Sequence, residues 1–479
     1  MNHSPSNPPV TFGPGILIHL PESLDLITPY VIREQGDWFE DEIQFVRKLL
    51  QPGNNAIDIG ANYGLYSLSM AQAVGTDGAV WSFEPASSTA AWLTSSIQAN
   101  GYSNITLDTR ALSNRSGTAR LSLNDNSELN EIIRDESNSA PSETINLTTL
   151  DEAMEEYGWN QIDFLKIDAE GEEAAIVQGG AKFFQTISPL VQYEVKAGST
   201  IHIDLVEIFK KIGYESYRLV PSLGLLAPFE PQEPVDGYLL NLFCCKPDRA
   251  DQLARQGLLV KKSNLPAERD SYVSQLTANQ PRDWLEKLSA LPYGKMLSPH
   301  WNKSIEIGLN ETIDKALTLH SIAADPNIPA TDRYLALRSC LEFLLQLCEK
   351  DARFMRLLSL ARVAREYGHR STSVRALDLL ISHLTQTRRV DVAEPFLAAS
   401  AYFDSIDPGN AIAEWILGSA LEELERSIAF SSFYTGTQAL DRLKAIKQLG
   451  FGSPEMGRRL QLILQRFRMT GALSDQLVR

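Results

Sequence analysis

The feature that most constrains this chain is a change of rhythm near residue 250. Before it, short apolar runs alternate with amphipathic stretches; beyond about residue 265 helical spacing alone continues. Strand–helix alternation marks βα units around a mostly parallel sheet, whereas amphipathic helices without strands pack helix on helix. A chain of 479 residues also exceeds what one core usually holds. The sequence therefore predicts a flexible N-terminus over 1–20, an α/β domain over 21–250 and an α-helical domain over 251–479.

Charge divides at the same place. Thirty-four acidic and 15 basic residues precede the cut, a net of −19; 26 acidic and 29 basic residues follow it, a net of +3. A domain at −19 repels phosphate backbones, so a nucleic-acid partner is not expected. Hydrophobic residues are 43% and charged residues 22%, which excludes a mainly disordered chain. No apolar stretch approaches the roughly 20 residues of a membrane span. The polar opening lacks the basic and apolar stretches of a secretory leader, so a cytoplasmic protein is expected. Cys244, Cys245, Cys340 and Cys348 have neither zinc-ligand spacing nor the pattern of a disulfide framework.

In the first part, Phe39 to Leu50 reads as a helix ended by Pro52-Gly53. Ala56 to Gly60, Ala79 to Phe83, Ile105 to Leu112, Ile162 to Asp168 and Leu190 to Val195 read as strands. Leu65 to Val74, Ala90 to Ala99, Glu173 to Phe184 and Ile201 to Ile212 read as helices among them. Tyr214 to Val220 and Tyr238 to Cys245 pair as a closing hairpin, with a Pro-rich loop between. The polar stretch Asn124 to Thr144 is either a flap or plain surface loop. After residue 265, Leu335 to Cys348, Arg353 to Tyr367, Ser373 to Leu384, Ala411 to Ile428 and Met456 to Arg468 carry helical spacing. Gly368 as C-cap and Ser371 as N-cap join two of them into an αα-hairpin. No clean second copy follows at a tetratricopeptide-like period of roughly 34 residues, which leaves a loose helical-hairpin array. Arginines 353, 356, 362, 365, 370 and 375 read as solvated helix faces.

Chemistry concentrates where the first strand meets its helix. Gly60-Ala-Asn-Tyr-Gly64 allows close backbone approach, and a helix start offers N–H groups to an anion. Glu84, ending the next strand, is placed for ribose hydroxyls. A dinucleotide fingerprint needs G-x-G-x-x-G, but Asn62 and Leu65 stand where two of its glycines belong. S-adenosylmethionine carries a sulfonium and an ammonium instead of phosphates. The acids Asp58, Glu84, Asp168, Glu170 and Glu194 at strand ends suit that cation better than NAD. Gly60 and Gly64 also admit a plain packing role. In extended geometry Lys166, Asp168 and Glu170 would share one face, either as a structural network or beside a methyl donor and acceptor. Glu194 has the same two options. A metal on Asp168, Glu170 and Glu194 is chemically open but not expected. Trp38 and Phe39 either cap the pocket or pack in the core.

Asp58-Ile-Gly-Ala-Asn-Tyr-Gly64, Phe83-Glu84-Pro85 and Lys166-Ile-Asp-Ala-Glu-Gly171 resemble, in this order, the FkbM-type S-adenosylmethionine-dependent methyltransferases. Thr149-Leu-Asp151 and Asn241 are similar to the same pattern, which covers roughly residues 20–250. The resemblance implies a class I methyltransferase (Rossmann-like) α/β fold with a seven-stranded sheet whose last strand is antiparallel. It implies S-adenosyl-L-methionine as cofactor, with Asp58, Gly60, Asn62, Tyr63, Gly64, Glu84, Pro85 and Ala111 at the cofactor. Lys166, Asp168, Glu170 and Glu194 are the catalytic candidates. The implied reaction is methyl transfer to a hydroxyl, usually of a sugar, glycan or polyketide-like molecule. The C-terminal helices lie outside the resemblance; a protein partner is expected there. A catalytically idle scaffold and a nicotinamide oxidoreductase are the readings from other classes, and the five residues Asp58, Gly60, Glu84, Lys166 and Asp168 speak against an idle site.

Overall fold

The computed structural model describes residues 7–124, 126–133, 141–197, 200–201, 203–278, 283–308, 311–350 and 353–469. Residues 1–6 of the expected flexible terminus, 125 and 134–140 of the polar stretch, and 202 of the expected helix Ile201 to Ile212 lie outside the described residues. The chain divides into two compact units. The first comprises residues 1–219, 228–235 and 239–258; the second comprises 220–227, 236–238 and 259–479. The second unit thus draws in two stretches that precede residue 250.

The first unit is organised by one sheet. Its strands are β1 (Asn55–Ile59), β2 (Ala79–Phe83), β3 (Ile105–Asp108), β4 (Phe164–Ile167), β5 (Leu190–Glu194), β6 (Glu215–Val220) and β7 (Asn241–Cys245). They lie in the order β3-β2-β1-β4-β5-β7-β6. β1 to β5 pair in parallel, while β7 is antiparallel to β5 and to β6. Leu225–Pro228 forms a further short strand, so the strands outnumber the expected seven. Order reverses at β1/β4, the switch point outside which ligands bind in open α/β sheets. The helices α1 (Ile27–Gln35), α2 (Asp41–Leu49) and α3 (Leu65–Val74) bring residues to that point.

Several local readings are corrected. The segment expected as a flexible N-terminus forms an antiparallel hairpin, Val10–Phe12 with Ile16–Ile18, because Phe12, Ile16 and Ile18 are buried as an apolar face. The expected strand Ile105 to Leu112 breaks after Asp108, whose carboxylate accepts the Arg110 N–H at 2.9 Å and so turns the chain. Ala111–Leu112 then joins a separate four-stranded sheet with Gly117–Ser122, Ile132–Ile133 and Ser142–Thr148. The expected helix Glu173 to Phe184 is cut at Gly179-Gly180 into Glu173–Gln178 and Ala181–Thr186. A Cβ on Gly179 would lie 2.2 Å from the Ser113 carbonyl oxygen, so a side chain there would displace the backbone.

The second unit is helical apart from the stretches it takes from before residue 250. Val220, Leu223, Leu225 and Ala227 share one buried cluster with Trp284, Trp301, Leu358 and Trp415. The αα-hairpin is present, and Gly368 caps its first helix at φ 96°. Ser371 is not the N-cap: the second helix already begins at Arg370, and the Asp236 carboxylate accepts the Ser371 N–H at 2.9 Å. The cap comes from 135 residues away in the chain. Arg356, Arg362 and Arg370 are buried rather than solvated. Each is paired, Arg356 with Glu394, Arg362 with Glu366 and Asp404, and Arg370 with the carbonyls of Arg426 and Ser427.

Candidate active site

Strands of a parallel sheet covered on both faces are ordinarily apolar. One rung of this sheet is not: Ser82, Asp58, Lys166 and Gln192 stand in register across β2, β1, β4 and β5, and all are buried. The Ser67 hydroxyl from α3 donates to Asp58 Oδ2 at 2.6 Å, and Ser82 donates to Ser67 at 2.7 Å. Lys166 Nζ lies 2.7 Å from Asp168 Oδ2, 4.0 Å from Asp58 Oδ1 and 4.8 Å from the centre of the Tyr66 ring. Burial disfavours the Lys166 charge, but Asp168, Asp58 and Glu40 outweigh it and hold the ammonium above its ordinary value. Burial drives Asp58 the other way, toward the neutral acid, and its Oδ1 is buried without a hydrogen-bond partner.

The turn after β1 shows why glycine stands where it does. Gly60 has φ +76°, and a Cβ there would lie 1.7 Å from the Asp168 carbonyl oxygen. A side chain would force the ends of β1 and β4 apart. Asn62 is left-handed at φ +48°, a conformation Asn adopts more readily than most residues. Glu84 pins it: Oε2 accepts the Asn62 N–H at 2.8 Å and Oε1 accepts the Ala86 N–H at 2.9 Å. Burial pushes the Glu84 carboxyl up to about 7, against these two backbone donors. Each oxygen keeps a further lone pair, as a ribose diol requires.

These elements line an open cleft. Asp58, Gly60, Asn62, Tyr63, Glu84, Pro85, Ala111, Lys166, Asp168 and Glu170 all line it. Gly64 and Glu194 are not among its walls. Gly64 opens α3 against Leu93, whose Cδ1 would be 2.3 Å from a Cβ, so its place is a packing one. Glu194 nonetheless stays close to the cleft acids; carboxylate oxygens of Asp168, Glu170 and Glu194 lie within 4.8 Å of one another. The extended face expected for Lys166, Asp168 and Glu170 is not what joins them. β4 ends at Ile167, and Glu170 turns into the cleft from a left-handed residue at φ +46°. Burial, then Asp168 and Glu173, raise Glu170 to about 8; burial, then Asp168 and Glu170, raise Glu194 to about 10.

Trp38 lines the cleft, with Phe39 against it at 4.3 Å between ring centres. Sequence reasoning missed Glu40, Tyr66, Ser127 and Glu128, which also line it. The Tyr66 hydroxyl donates to Glu40 Oε2 at 2.6 Å, and Asn241 Nδ2 donates to the same oxygen at 3.3 Å. In the sequence Glu40 looks like an ordinary acid in the first turn of the expected helix Phe39 to Leu50, so no local signal marks it.

The strand order 3-2-1-4-5-7-6 with an antiparallel β7, the glycine turn after β1 and the carboxylate ending β2 define a class I S-adenosylmethionine-dependent methyltransferase fold. Residues 58–216 match the family model of the methyltransferase FkbM domain. No curated protein matches. Among solved structures, methyltransferase FkbM from Methylobacillus flagellatus is 14% identical with a TM-score of 0.28, over 42% of this chain and 50% of that one. This chain thus spans half the length of that protein. A Streptococcus mutans protein solved in complex with S-adenosylhomocysteine is 11% identical over 43% of this chain and 95% of that one, with a TM-score of 0.27. An S-adenosylmethionine-dependent O-methyltransferase from Thermotoga maritima is 15% identical over 48% and 73%, with a TM-score of 0.24. Among the described residues no helix is long and apolar enough to cross a membrane.

Proposed function

We propose that the chain methylates a hydroxyl of a sugar, glycan or polyketide-like acceptor in the acid-lined cleft. The observation that carries this reading is the meeting of Lys166, Asp168 and Glu170 beside the Gly60 turn, at the carboxyl ends of the central strands. The residues present suit S-adenosyl-L-methionine. Gly60 keeps the turn open, Glu84 has lone pairs for the ribose hydroxyls, and the orphaned Asp58 Oδ1 is one of several acids that balance a cation. When bound, that cofactor supplies a methyl group already activated by its sulfonium.

The protein then has to align the acceptor and take its proton. In-line placement of this kind can supply roughly 7–11 kcal/mol, and a general base typically about 10²–10⁴-fold. Glu170 is assigned as that base. It faces the cleft, and at about 8 its carboxyl is tuned near the working pH, where a positive charge entering the cleft favours the ionised form. Lys166 fixes Asp168 at 2.7 Å, and Glu194, whose carboxyl is pushed up to about 10, brings an oxygen within 4.8 Å of it. Asp168 so held orients the acceptor hydroxyl toward Glu170.

The test is to incubate the protein with methyl-labelled S-adenosylmethionine and cell extract, then identify the labelled product by mass spectrometry. An ether methyl that survives mild alkali is expected. Label in an alkali-labile ester, or on nitrogen or carbon, would overturn the hydroxyl acceptor while leaving the methyltransferase class in place.

A further inference from the structure

One wall of the cleft comes from neither the turn nor the strand ends. Residues 126–133, between Gly117–Ser122 and Ser142–Thr148 of the second sheet, contribute Ser127, Glu128, Asn130 and Ile132 to its lining. What anchors this strap is a helix that lacks a cap of its own. α1 follows Leu26, which has no side-chain acceptor, so the first N–H groups of the helix are orphaned locally. Asn126 Oδ1 accepts the Ile27 N–H at 2.9 Å, and Glu128 Oε1 accepts the Thr28 N–H at 3.2 Å and the Thr28 hydroxyl. A carboxylate at a helix start is further favoured by the helix dipole. The two caps are recruited from about 100 residues along the chain.

Between the two capping residues stands Ser127. Its hydroxyl donates to Asn62 Oδ1 at 2.9 Å. Asn62 is therefore gripped twice, at its N–H by Glu84 and at its side chain by Ser127. That matters because Asn62 holds a left-handed backbone, which persists where its surroundings over-determine it.

We propose that Ser127 is a positioning residue for the cofactor turn, acting through Asn62, and that Asn126 and Glu128 keep it in place by capping α1. The strap thereby couples the start of α1 to the hold on the nucleoside end of the cofactor.

S-adenosylhomocysteine binding to the full chain tests this without knowledge of the acceptor, with calorimetry for Kd and stopped flow for dissociation. Ser127→Ala should weaken binding on the order of tenfold, mainly through faster dissociation, as loss of one pre-organising hydrogen bond implies. Ser127→Thr keeps a hydroxyl and should stay within about twofold of the wild type. Glu128→Ala should speed hydrogen exchange at the amides of Ile27 and Thr28 and weaken binding several-fold, with a cooperative thermal melt showing that the fold persists. A Ser127→Ala protein that binds and releases S-adenosylhomocysteine as the wild type does would overturn the proposal. So would Ser127→Thr binding as weakly as Ser127→Ala, because the hydroxyl would then not be the determinant. Unchanged affinity in Glu128→Ala despite exposed α1 amides would remove the coupling.

Discussion

Both units bury charge, and they balance it differently. In the second unit cations and carboxylates are matched. Arg362 meets Glu366 and Asp404, each at 2.8 Å, and His320 closes on Glu366 at 2.9 Å. Arg459 reaches Glu455 at 2.9 Å and Glu425 at 3.4 Å, and Arg442 meets Glu425 at 2.7 Å. Burial alone would raise Glu366, but His320 and Arg362 hold it down at about 2. Glu423 departs from this pattern; burial raises it. In the first unit Glu40, Asp58, Glu84, Asp168 and Glu170 face a cleft in which, among the described residues, Lys166 is the one cationic wall. Matched charges hold a fold together, whereas a surplus of one sign at a cleft costs stability and is kept where a ligand of opposite charge binds. The second unit's buried ions are structural. In the first unit the surplus of carboxylates gathers at the candidate cleft.

Substitutions of the two buried cations should separate these roles, and they carry the largest expected effects. Arg362→Met strands Glu366 and Asp404 and should cost about 3–5 kcal/mol in denaturant unfolding, with S-adenosylhomocysteine affinity within twofold of the wild type. Lys166→Met should lower methyl transfer about 10²–10³-fold, measured with labelled cofactor, because the acids it orients lose their partner. Equal loss of activity in both variants would erase the distinction. Glu84→Ala comes next. It removes a charge-assisted acceptor and should weaken S-adenosylmethionine binding by about 1.5–3 kcal/mol in calorimetry.

The two units should also differ in their response to pH. Glu84, Glu170 and Glu194 have folded-state values of about 7, 8 and 10, above the ordinary 4.5. The folded first unit therefore binds these protons more tightly than the unfolded chain does. Its stability should fall as pH rises from about 4.5 through 7 to 10. Glu366, held at about 2, contributes fully above 4.5, and its contribution is lost as pH falls toward 2. Hydrogen exchange followed peptide by peptide across pH should show the first unit loosening from the alkaline side and the helices around Glu366 from the acid side. Loosening of both units from the same side would break the comparison. The smallest effect is expected from chelation. If Asp168, Glu170 and Glu194 serve the methyl donor and acceptor, removing divalent metal should leave turnover unchanged. Activity that vanishes with chelator and returns with Mg²⁺ or Mn²⁺ would reassign the three carboxylates to a metal.

What the sequence by itself determined is what neighbours along the chain dictate. The period of apolar residues marked β1, β2, β4, β5 and α3, and the gathering of Asp58, Glu84 and Lys166 with Asp168 at one cleft was legible because a parallel sheet brings its strand ends to one edge. Gly60 was legible as a close approach, although its partner, the Asp168 carbonyl, was not. Tertiary structure alone decided the rest. Glu170 reaches the cleft through a left-handed turn that an alternating pattern cannot encode. Glu40 depends on Tyr66 and Asn241, and Asn62 on Ser127, partners 26, 201 and 65 residues distant. Arg356, Arg362 and Arg370 sit on helices whose spacing resembles a solvated face, and they are buried because matching carboxylates and carbonyls arrive from other segments. The physical reason is the same in each case. Backbone periodicity reflects interactions over a few residues, whereas the cost of burying a polar group is settled by whatever distant group folding brings within hydrogen-bond reach.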